Sequence, residues 1–247
     1  MKYLYGIMSF FTFLLACNPP KNEEKEKEVQ DDTVYLNTTE FDFPSVKVPY
    51  GFELDDISFT DSVKSVSFYF SYLKEKRPED SAYNSCIYKT LLNQIQQELI
   101  FYDTVWDSPY TIKSSLIMMP VKINVGEKLI SIKFIQDSFS EGGAHHNYSW
   151  YCLNYDRKNR KMLNSVDVFK FNSFNDTLDY WKLISRNLDE QRSEDLGTSS
   201  DSVAFFILND SIELCPDLSW SSGMRYAKLP FDSLTRFFTK KFNNRIR

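Results

Sequence analysis

The sequence predicts an α+β domain built on a largely antiparallel sheet with two or three packed helices. Short β-branched and aromatic runs lie near one another along the chain, and turn sequences join them. Two longer segments instead repeat apolar residues at helical spacing. Aromatic residues make up 16% of the 247 residues, with 21 Phe and 15 Tyr, so a substantial core is available. Strands with interspersed helices around one core are an α+β pattern.

The chain starts with a targeting segment. Residues 1–16 read as a lipoprotein signal peptide, with Lys2 as the positive start and Ile7–Leu15 largely apolar. That run is too short for a permanent membrane-spanning helix. Leu14-Leu15-Ala16-Cys17 resembles a bacterial lipobox, in which the thiol becomes a diacylglyceryl thioether and the chain is cut before it. Cys17 is therefore the expected lipid attachment, palmitate-type chains the expected modification, and the bilayer the expected partner. Each buried methylene stabilises such attachment by about 0.8 kcal/mol.

Residues 17–33 read as the lipidated cysteine and a disordered charged tether. Asn18-Pro19-Pro20 blocks helix continuation. Lys21–Asp32 holds three basic and six acidic residues with one aliphatic side chain, too little to offset the entropy of ordering. An acidic, lysine-containing run after a lipid cysteine resembles the surface-export signals of Bacteroidota lipoproteins, and a plain spacer has much the same composition.

Residues 34–247 are the expected single envelope domain. Val63–Leu73 is β-branched and aromatic, which predicts a strand. Asn84–Tyr102 places Ile87, Leu91, Ile95 and Leu99 on one helical stripe. Met118–Asn124 and Leu129–Gln136 read as strands around the turn Gly126-Glu127-Lys128. Tyr148–Tyr155 is the next strand; its bulky residues on both faces predict a central position in the sheet. Asp156–Arg160 is a polar turn. A second helix aligns Leu178, Trp181, Ile184 and Leu188, with Asp176 in its first turn, where negative charge favours the helix dipole. Val203–Leu208 and Ser211–Cys215 flank Asn209-Asp210 as a hairpin. Pro230 opens a last helix with Leu234, Phe237 and Phe238 inward.

Charge narrows the classes of partner. The tether carries −3 and Lys2 +1 of the net −5, which leaves −3 for residues 33–247. No broad basic balance suggests a nucleic acid. The positive run Lys240–Arg247 reads as a solvated helix end. Besides Cys17, the cysteines are Cys86, Cys152 and Cys215, with no CxxC or zinc spacing. They read as small buried hydrophobes; if any pair forms, it is Cys152 with Cys215, because both fall in strand-like runs. A monomer with no cofactor is expected.

The most unusual stretch is Glu141-Gly142-Gly143-Ala144-His145-His146-Asn147. It contains both histidines and two of only seven glycines. Adjacent glycines let the backbone turn through φ > 0 or approach another surface closely. Glu141, Gly142, Gly143, His145, His146, Asn147, Tyr148 and, further on, Trp220 are the candidate binding residues. The glycines serve equally well as backbone geometry at a strand start. Metal binding is poorly served, since consecutive strand residues point to opposite faces. A hydrolase could use His145 as base toward Cys152 or a serine, but Gly-x-Ser-x-Gly is missing.

Glu141-Gly142-Gly143-Ala144-His145, Asn147, Leu153-Asn154-Tyr155-Asp156, Leu163 and Asp167-Val168-Phe169 follow the spacing of one family. The chain resembles, over roughly residues 60–240, an extracytoplasmic domain of unknown function at the C-terminus of RsiV-type lysozyme-sensing anti-sigma factors. The same domain accompanies some peptidoglycan deacetylases as a non-catalytic module. Val203–Cys215 resembles its late hairpin, and Ser222-Gly223 through Leu229–Leu234 its closing strand and helix. Two departures are His146, where the family commonly has proline, and Asp217-Leu218-Ser219-Trp220, where it has an aromatic-acid-Ala-Pro-Tyr segment.

The resemblance implies an α+β cell-envelope binding or sensing module without catalysis, with a lysozyme-like protein or a peptidoglycan glycan as ligand. The lipobox and tether add the expectation of lipid anchoring at the outer membrane of a Bacteroidota-like bacterium. Alternatives are an envelope-polymer hydrolase or deacetylase using His145, His146 and Glu141, and a structural lipoprotein without a ligand. The lipobox reading predicts that cells fed radiolabelled palmitate label the wild-type protein and leave Cys17→Ser unlabelled.

Overall fold

Six strands form the first sheet in chain order: β1 (Phe52–Asp61), β2 (Val66–Glu75), β3 (Ser114–Val125), β4 (Leu129–Ser140), β5 (Asn147–Asp156) and β6 (Lys161–Met162). The computed structural model describes residues 45–62, 65–76, 81–105, 113–141, 146–188, 203–216 and 224–246, all within the compact unit Phe43–Arg247. Neighbouring strands are antiparallel except β2 and β3, which run parallel. A parallel pair needs a crossover, and α1 (Ala82–Val105) supplies it.

The α1 stripe explains where the first core lies. Ile87, Leu91 and Ile95 are buried, as their i, i+4 spacing predicts, and pack with Phe68, Phe70, Met118, Ile132 and Phe134. A bulge in β3 between Pro120 and Lys122 then changes which residues face the helix. Before it, Leu116 and Met118 belong to the core; after it, Ile123 and Val125 pack there. An extra residue reverses the alternation of a strand. Lys122 and Asn124 therefore point to the opposite face, where their antiparallel partners are Lys133 and Ser131.

A second layer covers that opposite face. β7 (Ala204–Ile207), β8 (Ser211–Cys215) and β9 (Ala227–Pro230) make a three-stranded antiparallel sheet. All five residues of β8 are buried. Phe205, Ile207, Ile212, Leu214 and Leu229 pack with the helical segments α2 (Ser165–Val168), α3 (Phe174–Arg186), α4 (Phe231–Leu234) and α5 (Lys240–Ile246). Asn164 caps α2 in a reciprocal box: its side chain accepts from Asp167 N–H at 3.1 Å, and Asp167 accepts from Asn164 N–H at 3.2 Å. The architecture is α+β, as expected.

Four expectations need correction. β5 is not central: β6 pairs only with Tyr155 and Asp156, so among the described residues β5 is nearly an edge strand. Its bulky faces come from contact with α1 on one side, where Tyr155 meets Tyr83, and the second sheet on the other. Of the second helix stripe, Ile184 is buried and Trp181 and Leu188 pack against the second core, but Leu178 is exposed and Tyr180 takes its place inward. The last helix is broken, because Phe238 is extended and bridges to Phe169 between a 3-10 turn and α5. The C-terminal basic run is not simply solvated, because Phe242 is buried and Arg245 pairs with the buried Asp156. β1 had no sequence signal of its own, since its charged residues hide the pattern.

Asn154 joins the two sheets. Its Nδ2 donates to Phe205 O at 2.6 Å, and its Oδ1 accepts from Ile207 N–H at 3.2 Å. Asn124 Nδ2 donates to Ile207 O at 3.0 Å. Leu208 N–H donates back to Ser211 O, so the odd-numbered β7 groups face away from β8 and would otherwise be orphaned. Asn154→Ala should destabilise the fold by about 2–4 kcal/mol in chemical denaturation, because it strands a buried donor and a buried acceptor.

Candidate functional site

Facing strands of the two sheets bring four polar side chains together. Lys133 and Cys152 are cross-strand partners on β4 and β5, so their side chains share one face. Glu213 and Cys215 stand two apart on β8, which also puts them on one face. Lys133 Nζ donates to Glu213 Oε2 at 3.3 Å, and both residues are buried. Lys122, from the bulged segment of β3, donates to the other carboxylate oxygen, Oε1. Lys133 Nζ also lies 3.9 Å from the Trp150 ring centroid and 4.0 Å from that of Tyr226. Two aromatic faces replace part of the ammonium's lost hydration, each worth about 2 kcal/mol when desolvated.

The two thiols of this group face each other across the two sheets. The Cys152 thiol beside it, followed by the Lys133 ammonium, holds Cys215 below the ordinary thiol range despite its burial. Burial, and the same contact with Cys215, push Cys152 well up. The environment thus separates the pair into an acidic and a weakly acidic thiol.

A cavity of about 530 Å³ opens beside them. Tyr148, Trp150 and Cys152 from β5, Asn164 and Ser165 at the start of α2, and Cys215 with Pro216 are among its walls. Leu163 N–H donates to Asn154 O at 2.7 Å, which turns the backbone groups of the even residues of β5 outward. Among the described residues, no strand pairs with the Trp150 and Cys152 positions of that edge. Trp150 Nε1 is buried with no hydrogen-bond partner among the described residues.

The sequence-predicted residues divide around this cavity. Tyr148 is half-buried in its wall; burial, and then the Asp137 charge, raise its phenol, so it stays a protonated donor. His146 Nδ1 lies 2.8 Å from Oδ1 of the buried Asp137, and its ring stacks on Phe139 at 4.7 Å. Asn147 is the exposed first residue of β5. Glu141 is exposed beyond β4, where its N–H donates to Lys113 O at 2.7 Å. Cys17, Gly142, Gly143, His145 and Trp220 lie outside the described residues. Among the described residues, no group of three or more His, Cys, Asp or Glu is placed to hold a metal.

Sequence reasoning missed Lys133, Asp137, Glu213 and Tyr226. A usable signal was present for two of them: Lys133 interrupts Ile130–Ile135, and Glu213 sits inside Ser211–Cys215, each a charge at an inward position of an apolar strand.

The chain is similar in fold to two solved bacterial structures. One is a member of the DUF3298 family from Bacteroides fragilis, with 12% identity, 81% of this chain and 99% of that chain covered, and a TM-score of 0.49. The other is a DUF3298 family protein from Pseudomonas aeruginosa, with 15% identity, coverage of 79% and 96%, and a TM-score of 0.46. No family model matches the chain, and no curated protein matches it.

Glu213→Leu should cost about 3–5 kcal/mol of stability, because Lys133 is left buried without its counter-charge. The double change Lys133→Met with Glu213→Leu should recover most of that loss in denaturant titrations, since a packed apolar pair replaces a desolvated ionic one.

Proposed function

We propose that this protein is a lipid-anchored cell-envelope binding module, held at the outer membrane through Cys17, whose ligand is a protein. The ligand would add an extended segment to the outer edge of β5. One observation carries the reading: the outward backbone groups of Trp150 and Cys152 border an open, aromatic-walled cavity. Main-chain hydrogen bonds along such an edge supply affinity, and a pocket for alternate side chains supplies specificity. Tyr148 and Trp150 offer ring faces with few rotamers to order, as interface residues often do. The lipobox and the charged tether support the anchoring, and the resemblance to lysozyme-sensing domains supports lysozyme as the first partner to try.

A second reading draws on His146 and Asp137. An ionised Asp137 can only accept, so it fixes the proton on His146 Nδ1 and leaves proton transfer to Nε2. That arrangement favours an envelope-polymer hydrolase or deacetylase with His146 as base and Asp137 as its positioning residue.

Interferometry on immobilised lysozyme, with soluble peptidoglycan fragments as the comparison, separates these readings. Strand addition predicts saturable lysozyme binding that Trp150→Pro weakens roughly ten-fold more than Trp150→Ala. The two variants differ at that edge chiefly in the N–H, and proline is tolerated on edge strands. Equal loss in both variants would overturn strand addition. Binding of the fragments alone would replace the protein ligand with a glycan. A change in fragment mass that His146→Ala abolishes would establish the enzyme.

A further inference from the structure

We propose that Cys152 and Cys215 are a redox-active dithiol that closes to a disulfide between the two sheets, with a peroxide as the two-electron oxidant. The chemistry is independent of the binding role proposed above. Nothing in that role uses the thiols, yet three observations converge on them.

The first is position. Cys152 on β5 is the cross-strand partner of Lys133, and Cys215 on β8 shares a face with Glu213. Lys133 and Glu213 meet at 3.3 Å across the two sheets, so the thiols face each other there. Thiols placed on facing strands are positioned for a bond between the sheets. Cys86 is placed elsewhere, on α1 at the other core, and no described contact joins it to the pair. The second is access. Both cysteines line the cavity, so a small oxidant reaches them although Cys215 is only 2% exposed. The third is reactivity. The Lys133 ammonium and the Cys152 S–H both stabilise a Cys215 thiolate, the form that attacks peroxides. Glu213 opposes this charge, but it also keeps Lys133 fixed beside the thiol.

The steps balance as follows. The Cys215 thiolate attacks one oxygen of the peroxide; the O–O bond breaks, an S–O bond forms, and the departing oxygen leaves as water after taking up a proton. The product is a sulfenic acid at Cys215. Cys152 sulfur then attacks Cys215 sulfur, the S–O bond breaks, and a second water leaves with the Cys152 proton. Two thiols have lost two electrons, and hydrogen peroxide has become two waters. A thiol reductant reverses the change by exchange.

The bond would tie β5 to β8 at the cavity floor and enclose residues 153–214 in one covalent loop. A loop that long restricts the unfolded chain strongly. In oxidised protein the thermal midpoint should rise by roughly 5 °C or more.

The test is peptide mapping of the full chain, reduced and then titrated with hydrogen peroxide. Expected results are a joined peptide containing Cys152 and Cys215, lighter by two hydrogens than its parts, and its loss on treatment with dithiothreitol. Cys86→Ser should leave the link intact. Cys152→Ala should stop at a Cys215 sulfenic acid, which dimedone traps. Lys133→Met should slow loss of the Cys215 thiol roughly ten-fold, the effect of about one unit in thiol acidity. Full alkylation of both cysteines after peroxide and denaturation would overturn the proposal. So would a link through Cys86, or sulfinic acid at Cys215 of the wild type in place of the link. If Lys133→Met fails to fold, the wild-type peptide map decides alone.

Discussion

The structure depends on a carboxylate that cannot be left alone. Glu213 sits in the middle of a fully buried strand, and its two oxygens are claimed by lysines from two different strands of the other sheet. Removing a carboxylate and an ammonium from water costs several kcal/mol each, so the attraction between them largely offsets a penalty rather than adding stability. What such a pair does supply is position. An apolar contact between two sheets tolerates sliding, whereas Glu213 accepts one register only, with Lys122 and Lys133 both in reach. Asn154 and Asn124 enforce the same register through the backbone of β7. The β3 bulge makes this possible, because without it Lys122 and Asn124 would point into the α1 core.

The same register creates the cavity and the edge beside it. Among the described residues, the outer partner of β5 is only the short β6, which follows a sharp turn at Asp156. The Asp156 side chain accepts from Lys158 and Asn159 N–H at 3.0 Å each, and Arg245 from α5 pairs with it. The return strand β6 is only two residues long before the cap of α2 begins. Exposed strand edges invite pairing with other chains, and proteins ordinarily cover or charge them. Here the edge opens instead onto Tyr148 and Trp150.

Much of the fold is legible in the sequence, for identifiable reasons. The α1 stripe, the β3–β4 and β7–β8 hairpins and the polar turn at Asp156 all rest on local periodicity and turn chemistry, which act over a few residues. The failures are long-range. The position of β5 at the margin of its sheet depends on how short β6 is, and bulky residues on two faces fit a doubly covered edge strand as well as a central one. The break after Thr235–Phe237 depends on Phe238 bridging to Phe169, a partner far away in the chain. The site was read only in part. Histidines and glycines stand out by rarity, which singles out His146 and its neighbour Tyr148, while Asp137 is passed over among many acids. Lys133 and Glu213 carry the stronger signal, a charge where the strand pattern demands an apolar residue.

That signal also separates the surroundings of the three described thiols. Cys86 packs against the apolar core beneath α1 as a small hydrophobe. Cys152 and Cys215 share the interface that the Lys133–Glu213 pair has already made polar, and the ammonium that neutralises Glu213 also acts on Cys215. A buried ionic pair therefore does two things at once: it sets the register that brings the sulfurs together, and it supplies the charge that makes one of them reactive. Replacing the pair by apolar residues could preserve the first effect by packing, but it could not preserve the second.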